Sequence, residues 1–92
     1  MMKFICMGSR GFIGMDADYI AELFIKEEYR GRWIGHRLIE TVKRKKRLSL
    51  HVFERNTGAV AFYQAEGLKV QQSMTEKEIG EKEFLMVYGE SE

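Results

Sequence analysis

Proline is absent from this chain of 92 residues, and cysteine occurs once, at Cys6. A lone cysteine excludes an intramolecular disulfide and a cysteine-based metal site, a pattern that fits a reducing compartment, so a cytoplasmic protein is expected. His36 and His51 are the only histidines and too sparse to form a metal centre, and no metal is expected. Long apolar runs are missing as well. None approaches the roughly 20 residues that cross a bilayer, and the opening stretch before Gly8 and Arg10 is too short for a signal-peptide core. Neither export nor a membrane partner is indicated.

What is present is globular in character: 45% hydrophobic and 32% charged residues, with nine glycines. A chain of this size supports one small core, and no repeat or low-complexity linker divides it, so residues 1–92 are expected to form a single domain. The net charge of +1 conceals an asymmetry: residues 26–47 hold nine Lys or Arg against three Glu, whereas residues 71–92 hold two Lys against six Glu. That distribution suits a local anionic partner, such as a phosphate, better than a generally basic protein.

The apolar run 3–7, closed by Gly8, predicts a strand, and the glycine-bearing stretch 8–16 predicts a turn or loop after it. Residues 19–25, rich in aromatic and β-branched types, predict a buried central strand. Ile34, Leu38, Ile39 and Val42 form one stripe of a helix over 34–46, and Leu48, Leu50 and Val52 alternate with Ser49, His51 and Phe53 as a strand. Asn56 and Thr57 are placed to cap a second helix through Ala65, and Gly67 to end it in the left-handed conformation. Residues 68–73 and 83–88 predict two further strands. The expected order is β-β-α-β-α-β-β.

Between the central strand and the first helix lies Arg30-Gly31-Arg32-Trp33-Ile34-Gly35. A basic, glycine-bearing loop feeding a helix start is suited to anions: first-turn N–H groups are unpaired, the dipole adds positive charge there, and glycine admits close backbone approach. An ordinary solvated turn would share these features. The segment also resembles the R-x-x-G-x-G/A motif of the GNAT superfamily of acetyltransferases, with Arg30 and Gly35 in place after the apolar Leu23-Phe24-Ile25. Downstream, the stretch from Asn56 through Ala59, Phe62, Tyr63 and Gly67 to Leu68 resembles the family's second signature, N-x-x-A-x-x-F-Y-x-x-x-G-[FL]. The two motifs stand in family order with one helix and one strand between them.

The resemblance implies an α/β fold of α+β type, a mixed and mostly antiparallel sheet flanked by helices, with acetyl-CoA as co-substrate and a primary amine as acceptor. It implies that Leu23, Phe24 and Ile25 lie along the pantetheine arm, Leu23 and Ile25 offering it strand backbone groups. Arg30, Gly31, Arg32, Trp33, Ile34, Gly35 and His36 would surround the pyrophosphate, and Asn56 would touch the pantetheine or orient the next helix. Tyr63 matches the tyrosine that in many relatives sits beside the thioester sulfur and is a candidate to protonate the departing thiolate, and Glu22, on the strand beside the cofactor, is a candidate base for the amine. Each has a plainer alternative: Tyr63 as a core aromatic, Asn56 as a helix cap, Glu22 as a solvated strand residue.

Two departures accompany the resemblance. Trp33 stands where the family's first motif glycine sits, and a bulky residue in a left-handed conformation costs about 1–2 kcal/mol. The match also begins inside the family plan, so a shortened domain without the usual first strand and two helices is expected, its exposed strand edge and sheet face paired in a homodimer. The leading function is direct N-acetyl transfer from acetyl-CoA. A partial module that binds CoA weakly or not at all and serves in assembly is the alternative. Nucleic acid is not an expected partner, because the basic run Lys43 to Arg47 ends a helix and has no aromatic stacking platform beside it.

Overall fold

The computed structural model describes residues 2–6, 8, 10–29, 33–43 and 47–89. Its elements are β1 (Met2–Cys6), β2 (Gly11–Asp16), β3 (Tyr19–Ile25), a short 3-10 turn (Glu27–Tyr29), α1 (Ile34–Val42), β4 (Leu48–Phe53), α2 (Thr57–Ala65), β5 (Lys69–Glu76) and β6 (Glu81–Tyr88). The strands form one sheet in the order β1-β2-β3-β4-β6-β5. All neighbours are antiparallel except β3 and β4, which run parallel and meet at the single pair Tyr19↔Ser49. This is the expected mixed, mostly antiparallel sheet with two helices.

One strand exceeds the sequence expectation. Residues 11–16, which sequence reading gives to a loop, form β2, paired with both β1 and β3. The glycines that suggest a loop have a packing reason. A Cβ on Gly11 would stand 2.5 Å from the Phe24 carbonyl oxygen, so the two backbones approach as only glycine allows. At Gly14/Met15 the pairing with β3 shifts register, a bulge at another glycine.

Both helices serve one face of the sheet. Ile34, Leu38, Ile39 and Val42 of α1 join Ile13, Met15, Ile20, Leu48, Leu50, Val52, Leu68 and Met86 in the core, and the partly buried Ala59, Val60, Phe62 and Tyr63 of α2 pack against it. The end of α2 is fixed by local chemistry. Gly67 adopts φ 98°, its N–H donates to Gln64 O, and that of Leu68 donates to Tyr63 O, a Schellman closure whose Leu68 is buried. On the opposite face, Phe4, Phe12 and Phe24 form a ladder across β1, β2 and β3, with ring centroids 5.8 and 5.5 Å apart.

Leu38, fully buried, should lose about 2–5 kcal/mol on replacement by Ala. Phe4, 53% exposed, should lose about 1 kcal/mol or less. Urea unfolding of the two variants checks the assignment of faces, and equal losses would contradict it.

Candidate functional site

Because β3 and β4 share one bridging pair at Tyr19↔Ser49, they diverge beyond it, and the wedge between them opens toward the starts of the two helices. A cleft of about 680 Å³ fills this region. Leu23 and Ile25 of β3 line one wall, Trp33, Gly35 and His36 at the start of α1 a second, and Asn56, Gly58, Ala59, Phe62 and Tyr63 of α2 a third. A smaller cleft of about 240 Å³ lies deeper in the wedge, between Ile20 to Leu23 on β3 and Leu50 to Phe53 on β4. The two share Leu23, Asn56, Ala59 and Tyr63.

Among the described residues, no side chain caps the start of α1. Its N-cap residue, Trp33, makes no side-chain cap hydrogen bond, and the first helical bond runs from Arg37 N–H to Trp33 O. The first-turn N–H groups of Ile34, Gly35 and His36 therefore precede the helical ladder, at its positive end. Trp33 holds φ 75°, the strained conformation expected of a residue standing in a glycine's place, and the residue, which lines the cleft, is 73% exposed. Gly35 has a reason of its own: a Cβ there would stand 2.9 Å from Phe62 Cζ, so a larger residue would have to push that ring aside for the start of α1 to lie against α2. Asn56 is a helix cap, its Oδ1 accepting from Ala59 N–H at 3.3 Å, and it also borders both clefts.

Tyr63 sits where the clefts meet. Burial pushes its hydroxyl pKa above the ordinary value, so the group keeps its proton through the neutral range and can act as a donor. Glu22 is exposed and borders the smaller cleft, on the far side of the meeting point. Two expected cofactor residues face elsewhere. Phe24 points to the opposite face of the sheet, stacked on Phe12, because successive strand residues alternate, and the Ile34 side chain is buried in the core, which leaves only its backbone for a ligand. Arg30, Gly31 and Arg32 lie outside the described residues.

Sequence reading did not assign roles to three groups here. His51 borders the smaller cleft and shares a 2.7 Å hydrogen bond with the Tyr19 hydroxyl, whose pKa is raised by burial and then by the charge of Glu83. Glu66 is buried at the end of α2 and bonds His36. The strand alternation of Ser49, His51 and Phe53 signalled where His51 points; nothing short of the tertiary fold pairs residues 36 and 66. His36, Glu40 and Glu66 bring three possible ligand atoms within 4.8 Å, but the Lys43 ammonium lies 3.3 Å from Glu40 and 3.8 Å from Glu66, so a cation already occupies that neighbourhood.

Residues 3–69 match the family model described as acetyltransferase (GNAT) domain. Among solved structures, the chain is similar to a putative streptothricin acetyltransferase from Bacillus anthracis in complex with acetyl coenzyme A, with a TM-score of 0.81 at 21% identity, over 88% of this chain and 56% of that one. It is also similar to YjaB from Escherichia coli in its apo form, with a TM-score of 0.75 at 27% identity over 87% and 57%. The third is Arabidopsis thaliana NAA60 in complex with acetyl-CoA, with a TM-score of 0.76 at 20% identity over 88% and 66%. The chain thus spans little more than half the length of the first two. No curated protein sequence matches it.

The strain at Trp33 has a measurable consequence. Trp33→Gly removes a left-handed, mostly exposed side chain and should stabilise the fold by about 1 kcal/mol, a rise of about 4–8 °C in thermal unfolding temperature. A lowered temperature would show that the edge-on contact of the indole with His36, at 6.1 Å, outweighs the strain.

Proposed function

The chain belongs to the acetyltransferase (GNAT) domain family, and we propose that it binds acetyl-CoA in the larger cleft and moves the acetyl group directly to a primary amine held at the smaller one. The observation that carries this reading is the meeting of the two clefts at Leu23, Asn56, Ala59 and Tyr63. Support comes from solved neighbours that hold acetyl-CoA, the Bacillus anthracis and Arabidopsis enzymes. The residues fit such a ligand: an apolar strand, β3, whose edge diverges from β4, for an amide-bearing arm, and the start of α1, where Trp33 makes no side-chain cap, for the diphosphate.

In this reading the nitrogen of the amine attacks the thioester carbonyl carbon, the C–S bond breaks, and the acetyl group leaves on nitrogen. A backbone N–H of β3 faces the carbonyl oxygen as charge gathers there. Tyr63 gives its proton to the departing thiolate, and its raised pKa suits it to hold that proton until the bond breaks. The amine, with a pKa of about 10.4 if lysine-like, gives up its proton to Glu22 or His51, both of which border the smaller cleft. No covalent enzyme intermediate is needed.

A second reading, a module that binds CoA weakly or not at all and acts in assembly, is favoured by one observation: the left-handed Trp33 at the rim of the cleft. Calorimetric titration separates the two. Acetyl-CoA and CoA should bind with measurable heat, and the amides of residues 33–36 should shift in an NMR titration; amides unmoved at millimolar CoA would overturn the acetyl-CoA reading. Tyr63→Phe should lower kcat about 10²-fold with little change in cofactor Kd, and an unchanged kcat would return Tyr63 to a packing role.

Self-association is part of the same proposal. β1 is an edge strand, and the ladder of Phe4, Phe12 and Phe24 lies on the face without helices, with Phe4 53% and Phe24 45% exposed. An apolar face beside an open edge suits a two-fold pairing of identical chains. Sedimentation equilibrium at micromolar concentration should give twice the chain mass of 10.8 kDa, and a monomeric mass with cooperative unfolding would exclude the pairing.

A further inference from the structure

Glu66 is the one buried charged side chain among the described residues, and its position is costly on two counts. It is the C-cap of α2, where the helix dipole opposes negative charge, and burial removes the water that would solvate it. Partners from the other helix offset this cost. Both carboxylate oxygens lie 2.9 Å from Nδ1 of His36, in the first turn of α1, and the Lys43 ammonium stands 3.8 Å away. The contact follows from the close approach at Gly35. Phe62, which fills the space a Gly35 side chain would need, lies four residues before Glu66, so one face of α2 meets Gly35 and His36 in turn.

An ionised carboxylate only accepts hydrogen bonds, so Nδ1 of His36 must carry a proton and donate it. That fixes the orientation of the ring. The second nitrogen, Nε2, is 3.9 Å from Glu40 Oε1, and the ring borders the larger cleft with Trp33 packed edge-on against it. Among the described residues, the charged groups facing His36 are therefore Glu66 from α2 and Glu40 from its own helix, with Lys43 balancing both carboxylates.

We propose that Glu66 is a positioning residue for anion binding: by holding Nδ1 of His36 it fixes the imidazole ring at the start of α1, where the ring borders the diphosphate end of the ligand in the larger cleft. The inference rests on the reading of that cleft as the acetyl-CoA site, and it adds a residue from the second helix to the anion-binding start of the first. Glu66 itself touches no ligand in this arrangement. Its effect passes through one ring, and a loss of that ring should erase it.

The test compares CoA with pantetheine, which lacks the diphosphate, on the full chain. Glu66→Ala should weaken CoA about tenfold, the scale of one charge-assisted hydrogen bond, and leave pantetheine unchanged. It should also move the His36 ring nitrogens in long-range 1H-15N spectra away from the Nδ1–H form. Glu66→Gln keeps an accepting oxygen and should retain the Nδ1–H form and most of the CoA affinity. In a His36→Ala background, Glu66→Ala should add no further loss. Unchanged CoA affinity in Glu66→Ala, or an equal loss for pantetheine, overturns the positioning role. If Glu66→Ala fails to fold, a Glu66→Gln variant that has lost the Nδ1–H form yet binds CoA as wild type does the same. Wild-type protein that binds neither ligand overturns the reading of the cleft instead, and free pyrophosphate competing as well as CoA would assign the site to a small anion.

Discussion

The divergence of β3 from β4 governs the rest of the structure. Two parallel strands tied at the single pair Tyr19↔Ser49 leave backbone groups on each without a sheet partner, and such groups are tolerable only where water or a ligand can reach them. Had the ladder continued, the wedge would close, and Leu23, Tyr63 and Asn56 would line nothing. α1 follows β3 and α2 follows β4, so each diverging strand delivers a helix start to the same side of the gap, and the contact of Gly35 with Phe62 fixes how close those starts come.

Charge is arranged around this gap with a division of labour. At the start of α1 the chain offers N–H groups and an imidazole. Deeper in the wedge it offers Glu22 and His51, with the Tyr19 hydroxyl on the latter. On the proposed reading, the outer end suits a negatively charged group and the inner end, which offers proton acceptors, suits an amine, with the buried hydroxyl of Tyr63 between them.

Much of this was legible in the sequence. The helical stripe of Ile34, Leu38, Ile39 and Val42 and the alternation of Leu48, Leu50 and Val52 report burial directly, because period and face are local properties. Asn56 and Gly67 declared the ends of α2 for the same reason. β2 was not legible: Gly11 and Gly14 suppress the strand signal, and the cause, a backbone approach to Phe24, exists only after the strands pair. The Phe24 side chain lies on the other face from Leu23 and Ile25, which a three-residue apolar run does not reveal until one of its members is anchored. Glu66 and His36, thirty residues apart, are joined by the packing of two helices, which no local pattern encodes.

Trp33 is the chain's single tryptophan, and it sits at the rim of the larger cleft with most of its ring in water. The long-wavelength fluorescence of the folded protein therefore arises at one place, beside the site itself and away from the core. An occupant of the cleft displaces solvent from that indole and shifts its emission, while events on the far face of the sheet, among Phe4, Phe12 and Phe24, leave it dark to them. The residue that strains the backbone also equips the protein with a built-in optical reporter of its own occupancy.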